Sequence, residues 1–422
     1  MSKQEDRPKM PASTPPSEPA DARAEAAPPR PPEPPPDQTA CLSQWELIKR
    51  RFRRHRLAVI GLYMLAVLYT LAIFAEVFAP YSQHTKVLDR SFSPPQIPHF
   101  SFQHGLYVPR IERHVDQITF KQNYIVHEDQ PVKLGFFVKG QRYKLWGLIP
   151  WDRHFLGPEA VLPETEDESV QPGDDSQIER DAAQITAEES DTPIVFFLGA
   201  DKYGRCLFSR LVHGARISLS IGLIAIAVTS VLGITLGGIS GYVGGKIDTL
   251  IQRSIEIVRS FPRLPLWMAL GAAVPPDWSP LKTYLGITIV LSLLGWTGLA
   301  RVVRGKLLSL REEDYAVAAR LIGASHARII FRHLVPGFTS HIIVGLTLAI
   351  PAMILGETSL SFLGLGLRPP VVSWGVMLQD AMSMQIVANY PWLLMPVPFL
   401  IITVLCFNFV GDGMRDAADP YH

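Results

Sequence analysis

The chain has 422 residues, a formal net charge of +1 and 47% hydrophobic residues, an average that hides strong local patterning. Its three cysteines, Cys41, Cys206 and Cys406, are too far apart for a disulfide framework or a metal-ligand spacing. No GxxxxGK[ST], HExxH or GxSxG motif occurs, so the sequence offers no catalytic residue, no metal site and no cofactor of its own.

Residues 1–40 carry a dozen prolines and no aromatic residue. Such a segment cannot bury enough apolar surface to offset its ordering entropy, and it reads as a disordered tail. It lacks the n-region and h-region of a signal peptide. Residues 41–79 begin with WELIKRRFRRHR (Trp45 to Arg56), a basic helix-like lead-in to a first apolar run, Leu57 to Ala79. About 20 apolar residues cross the ~30 Å hydrocarbon core. A basic cluster beside such a run places the N-terminus on the inner side.

Residues 80–195 form an insert expected outside. Strand-like patches lie at Ile118 to Phe120, Asn123 to His127 and Leu134 to Leu148, the last read as a hairpin turning at Lys139-Gly140. Glu159 to Asp191 holds twelve acidic residues and one arginine, a composition for a flexible loop whose spacing lacks the EF-hand order.

From Phe196, polar Asp201, Lys202 and Arg205 followed by Leu207, Leu211 and Ile217 suit an interfacial helix entering a second span, Ala215 to Tyr242. Gly233, Gly237, Gly241 and Gly245 recur every fourth residue, a spacing that lets helix backbones approach closely in lipid. A third span is expected over Leu250 to Val274, with Arg253, Glu256 and Arg259 in one row and a break or kink at Pro262 and Pro265. The remaining spans are Tyr284 to Ala300, His341 to Ser361 and Trp392 to Phe409, with a Gly/Pro-rich outside loop or re-entrant helix before the last.

Between the fourth and fifth spans lies the loop 301–336. Seven Lys or Arg against three acidic residues between Arg301 and Arg332 place it inside. Its segment Tyr315 to Pro336, YAVAARLIGASHARIIFRHLVP, reads as two short helices. Tyr315, Ala318, Ala319 and Ile322 recur at helical spacing, Gly323 stops the first helix, Ser325 caps the second, and Pro336 ends it. In the fifth span, Glu357 has two readings. It lines a pathway or meets a substrate amine, or it is held by the hydroxyls of Thr358 or Ser359. The fold expected is an all-α polytopic membrane protein of six transmembrane helices, with both termini cytoplasmic, a cytoplasmic helix-turn-helix, and an outside insert with some β structure. Residues 196–422 form its core.

Five stretches in order, LGADKYGRCLFSRLVHGARISL, GYVGGKIDTLIQRSIEIVRSFP, VRGKLLSLREEDYAVAARLIGASHARIIFRHLVP, ETSLSFLGLGLRPPVVSWGVML and FNFVGDGMRDAADP, are similar to the inner-membrane permease subunits of ATP-binding-cassette importers. The likeness is specifically to the second permease of dipeptide and oligopeptide systems, over just over half of the chain. In that family the helix pair Tyr315 to Pro336 is the coupling motif. The resemblance maps its two alanines to Ala318 and Ala319 and its glycine to Gly323, with Arg320, Ala324, Ser325, His333 and Pro336 alongside. The family's glutamate position holds Val317, which removes any polar contact the acid would make. The resemblance implies two separate ATPase subunits, a second permease, an extracytoplasmic substrate-binding protein and a bacterial inner membrane as partners, with no nucleic acid. It implies peptide cargo, with nickel chelates or oligosaccharides as an alternative in the same architecture. A membrane-anchored receptor or scaffold would need a large outside domain on a single span, which the six runs oppose.

Overall fold

A computed structural model describes residues 44–103, 105–115, 122–159 and 194–418. The tail 1–40, the patch Ile118 to Phe120 and the acidic stretch beyond Glu159 lie outside the described residues.

The basic lead-in is helix α1, Gln44–Arg54. His55 interrupts it and caps the next helix, its Nδ1 accepting from Ala58 N at 3.1 Å. Helix α2, Arg56–Ile73, follows, then the single turn α3, Ala75–Phe78. The insert supplies an antiparallel sheet in chain order, β1 (His99–Ser101), β2 (Gly105–Val115), β3 (Gln122–Leu145) and β4 (Ile149–Pro158). The turn expected at Lys139-Gly140 is not there. β3 runs through it with only a register shift between Lys139 and Tyr143, and reverses at Trp146–Leu148 instead. Gly140 serves close approach rather than reversal, because a Cβ there would run into the ring of His154 on β4.

The remaining chain is helical: α4 (Leu207–Val243), α5 (Gly245–Ser260), α6 (Arg263–Ala272), α7 (Pro280–Leu310), α8 (Asp314–Leu321), α9 (His326–Phe362), α10 (Trp374–Asp380), α11 (Met384–Asn389) and α12 (Pro391–Ala418). Five of these, α2, α4, α7, α9 and α12, are long and apolar enough to cross a membrane. The stretch expected as a third span is divided into α5 and α6, with the break at Pro262 where one was expected. Phe261 adopts extended backbone before Pro262, whose ring disfavours helix at the preceding residue. Arg253 and Glu256 on α5 pair at i, i+3 as their spacing predicts, at 2.9 Å.

The glycines at fourfold spacing bring α4 against α7. A Cβ on Gly237 would sit 2.5 Å from Ala300 O, and one on Gly241 2.8 Å from Arg304 O. Gly222 receives Ile354 of α9, and Gly61 of α2 lies against the Cys406 backbone of α12. Around these contacts Ile221, Ala225, Ile287, Leu291 and Ile354 are buried in one cluster. Cys206 and Cys406 are buried free thiols.

The residues before α4 do not form the interfacial helix read from their pattern. They form a tight loop around buried Asp201, whose Oδ1 accepts from Tyr203 N at 2.9 Å and Arg205 N at 3.0 Å. A carboxylate that satisfies successive backbone N–H groups favours a turn over helix.

Candidate functional site

The segment singled out in the sequence folds as a helix, a turn and a second helix, but Pro336 does not end the second one, which continues through it as α9 to Phe362. α8 ends at a glycine-dependent reversal. Gly323 has φ +81, its N–H donates to Arg320 O at 3.0 Å, and Ala324 N donates to Ala319 O at 3.1 Å. This paired pattern, with glycine in the left-handed region, satisfies the last carbonyls of the helix. Nothing lies within 4 Å of where a Gly323 Cβ would be, so the requirement is one of backbone conformation and not of space. Ser325 then caps α9, its Oγ accepting from Arg328 N at 3.4 Å.

The inner face of this element differs from the stripe its spacing suggested. Ala316 and Ala319 point inward, onto Tyr242, Val303, Leu307, Ile329, Ile330 and Leu334. Ala318 is exposed, so it and Ala319 do not share a face, as expected of successive residues about 100° apart around a helix. Ile322 is outside as well. Val317, Leu321 and Ile322 are 37%, 82% and 85% exposed and make an apolar outer edge. His333 and Pro336 are also exposed. Arg320 lies over the ring of Tyr242, 5.5 Å from its centroid, and His326 meets the same ring at 5.3 Å.

A charged clasp sits beside this element. Arg304 Nε and Nη2 each reach one oxygen of Asp248 at 2.6 Å, and the Ser240 hydroxyl donates to the same carboxylate. It joins the end of α4, the start of α5 and the length of α7. The Arg304 guanidinium holds the Asp248 carboxyl below the usual carboxylate range. Asp248 carries no local signal in the sequence. Its partner is 56 residues away, and only the fold brings the two together.

Glu357 is fully buried in α9. It accepts from Ser361 Oγ at 2.8 Å and from Ser218 Oγ of α4 at 3.0 Å, with Thr358 Oγ1 at 3.5 Å. Ser218 Oγ in turn accepts from Trp374 N and Ser361 Oγ from Leu367 N. The carboxylate therefore organises a junction between α4, α9 and α10. Its helical position was legible, but the cross-helix partner Ser218 was not.

A second buried charge group was missed. Arg210 Nη1 is 2.5 Å from Asp201 Oδ2 and 3.3 Å from Asp380 Oδ2, while Arg205 Nε is 2.6 Å from Asp201 Oδ2. This ties the first turn of α4 to the end of α10. An arginine between Leu207 and Leu211, in the first turn of a mostly apolar helix, was the available signal.

Together these features define a multi-pass helical membrane protein whose loop 301–336 presents a capped, apolar-edged helical turn. Residues 233–421 match the family described as "Binding-protein-dependent transport system inner membrane component". Residues 43–95 match the "N-terminal TM domain of oligopeptide transport permease C". The chain is 40% identical over 225 residues to the dipeptide transport system permease protein DppC of Bacillus subtilis, covering 53% of this chain and 68% of that one. It is 39% identical to the oligopeptide transport system permease protein OppC of the same organism, covering 53% of this chain and 71% of that one. To OppC of Escherichia coli K12 it is 41% identical, covering 53% and 72%. The chain belongs to this family of inner-membrane permease subunits of ATP-binding-cassette transporters.

Proposed function

We propose that the chain is one of two permease subunits of a peptide importer, and that the turn around Gly323 couples it to a separate ATPase. The observation that carries the coupling role is the apolar edge of Val317, Leu321 and Ile322, exposed on a helix whose opposite side, Ala316 and Ala319, is packed. A capped helix with an apolar outer edge suits a groove on a partner, read at positions i, i+4 and i+5. ATP hydrolysis belongs to that partner. Val317 in place of the family's glutamate extends the apolar edge by one turn, so the matching groove needs no cation at that point.

In this reading α5 and α6 together make a sixth, broken crossing, which returns the C-terminus to the side of the N-terminus. The basic α1 and the positive loop 301–336 support a cytoplasmic placement for both, and the insert between α3 and α4 then lies outside. A second permease completes the path, and a substrate-binding protein delivers cargo to the outer face. The relatives named above are dipeptide and oligopeptide permeases, which favours peptides over nickel chelates or oligosaccharides. Glu357 serves here as a packing anchor between α4, α9 and α10, not as a group on the path, because this chain buries it completely.

The test is ATPase stimulation of the reconstituted complex by a panel of peptides, sugars and metal chelates delivered with the binding protein. Stimulation by peptides alone supports the reading. Stimulation by sugars or chelates, with none by peptides, overturns the cargo assignment.

A further inference from the structure

We infer that the tip of the β3–β4 hairpin is a lipid anchor, seated at the headgroup–acyl boundary of the membrane face that the insert occupies. The tip reverses at Trp146 and Gly147, both with positive φ, 53 and 73. Glycine adopts that backbone freely, whereas tryptophan is rarely found in it. Trp146 is held there by its side chain. Its indole Nε1 donates to Ile73 O at 2.9 Å, and its ring lies 5.6 Å from that of Phe74. The hairpin is thereby fastened to the last residue of α2.

That attachment fixes the height of the tip. α2 has 18 residues and is therefore about 27 Å long, close to the ~30 Å hydrocarbon core, with the basic α1 at its other end. Ile73 then marks the far edge of the core. At this level the hairpin exposes Trp146 (50%), Leu148 (80%), Ile149 and Trp151 (50%), and the reversal 146–148 carries no charge. Ile149 and Trp151 share the outward face of β4, whereas His154, an odd number of residues from both, turns inward to Ala79 O at 2.5 Å. The apolar tip is continuous with the exposed apolar side of α2, including Ile73 and Val67. Behind it stand exposed Arg142 and Lys144, placed to meet anionic headgroups. Indole rings with an apolar body and one N–H suit this boundary. The inference rests on α2 crossing the bilayer and not on the cargo.

The test uses the full chain in phosphatidylethanolamine–phosphatidylglycerol vesicles, with and without the second permease. Leu148→Cys is labelled with bimane in a chain carrying Cys41→Ser, the thiols of Cys206 and Cys406 being buried. A blue-shifted emission, lost to lipids brominated near the headgroup end of the acyl chain and insensitive to aqueous iodide, is the expected result. Quenching by iodide with no response to brominated lipid overturns the proposal. Shielding from both quenchers that appears only with the second permease or a binding protein overturns it too, in favour of a protein partner. Trp151→Cys gives the same readout if the first variant does not fold. The measurement reads depth and not uptake, so it can fail while the permease reading stands, and the reverse.

Discussion

Arg304 closes on Asp248 with both nitrogens of one guanidinium edge at 2.6 Å, linking α7 to the turn between α4 and α5. Lysine cannot reproduce a two-point contact. Arg304→Lys is therefore expected to lower the stability of the purified protein by about 1 kcal/mol, a figure kept small because the pair is partly solvated. It should also lower uptake more than expression, since the clasp stands beside the turn proposed to couple the chain to its ATPase. Thermal denaturation in detergent and uptake in the same preparation check this. Unchanged values for both would show the pair to be a solvated surface contact.

Gly323 tests backbone conformation against bulk. Its φ is +81 and no atom crowds its missing Cβ, so asparagine, which tolerates the left-handed region, should keep most uptake. Gly323→Val should retain membrane insertion, lose ATPase co-purification and abolish uptake. A β-branched residue there costs roughly 1–2 kcal/mol of local strain, enough to displace the turn. Equal activity of the two variants would show that the turn geometry does not carry coupling.

For Glu357 the relevant comparison is glutamine against leucine. Glutamine keeps an oxygen acceptor for one of Ser361 and Ser218 and turns its amide N–H to the other, whose hydroxyl oxygen can accept it, so Glu357→Gln should leave folding and uptake near normal across pH. Leucine leaves those two buried hydroxyls without their partner, at roughly 1–3 kcal/mol each. Glu357→Leu is expected to lower the denaturation midpoint sharply. Full uptake by the leucine variant would exclude the anchoring role, and loss of uptake by the glutamine variant with normal folding would restore a role on the path.

The fold was legible in the sequence where periodicity is local. Apolar runs located α2, α4, α7, α9 and α12, the fourfold glycines marked a close-packing face on α4 without naming α7 as its partner, and Gly323 and Ser325 located the turn between α8 and α9. It was not legible where a nonlocal contact overrides local preference. The reversal lies seven residues beyond Lys139-Gly140, which has turn composition, because it puts tryptophan in a conformation held by Ile73 and Phe74, far away in sequence. The predicted stripe on α8 failed for a related reason. Its inner face is chosen by Tyr242 and Leu307, which no pattern within the helix reveals.

Glu76 and Arg216 supply a dependence on pH. Both guanidinium Nη atoms of Arg216 lie 2.6 Å from the Glu76 carboxylate. Burial alone would raise the Glu76 carboxyl, but the bonds from Arg216, a backbone hydrogen bond and the nearby positive charge together outweigh it and hold the group below its ordinary 4.5. The folded state thus favours the ionised form. Its contribution is fully present above pH 4.5 and is lost as pH falls through the lower folded value. The denaturation midpoint of the native protein should drop on acidification through that window. Glu76→Gln should start lower at neutral pH and lack that acid step. An identical acid profile in the two proteins would assign the step to other carboxyls.

The length of α4 has a mechanical meaning. Thirty-seven residues make a rod of about 55 Å, nearly twice the ~30 Å apolar slab it crosses. One end is gripped by Asp201 and Asp380 through Arg210, and the other finishes at the Asp248 clasp. An unbroken helix transmits tilt along its whole length, whereas the neighbouring α5 and α6, parted at Pro262, can pivot independently. α4 is thus suited to act as a stiff lever between the two faces, with the jointed pair beside it taking up the slack.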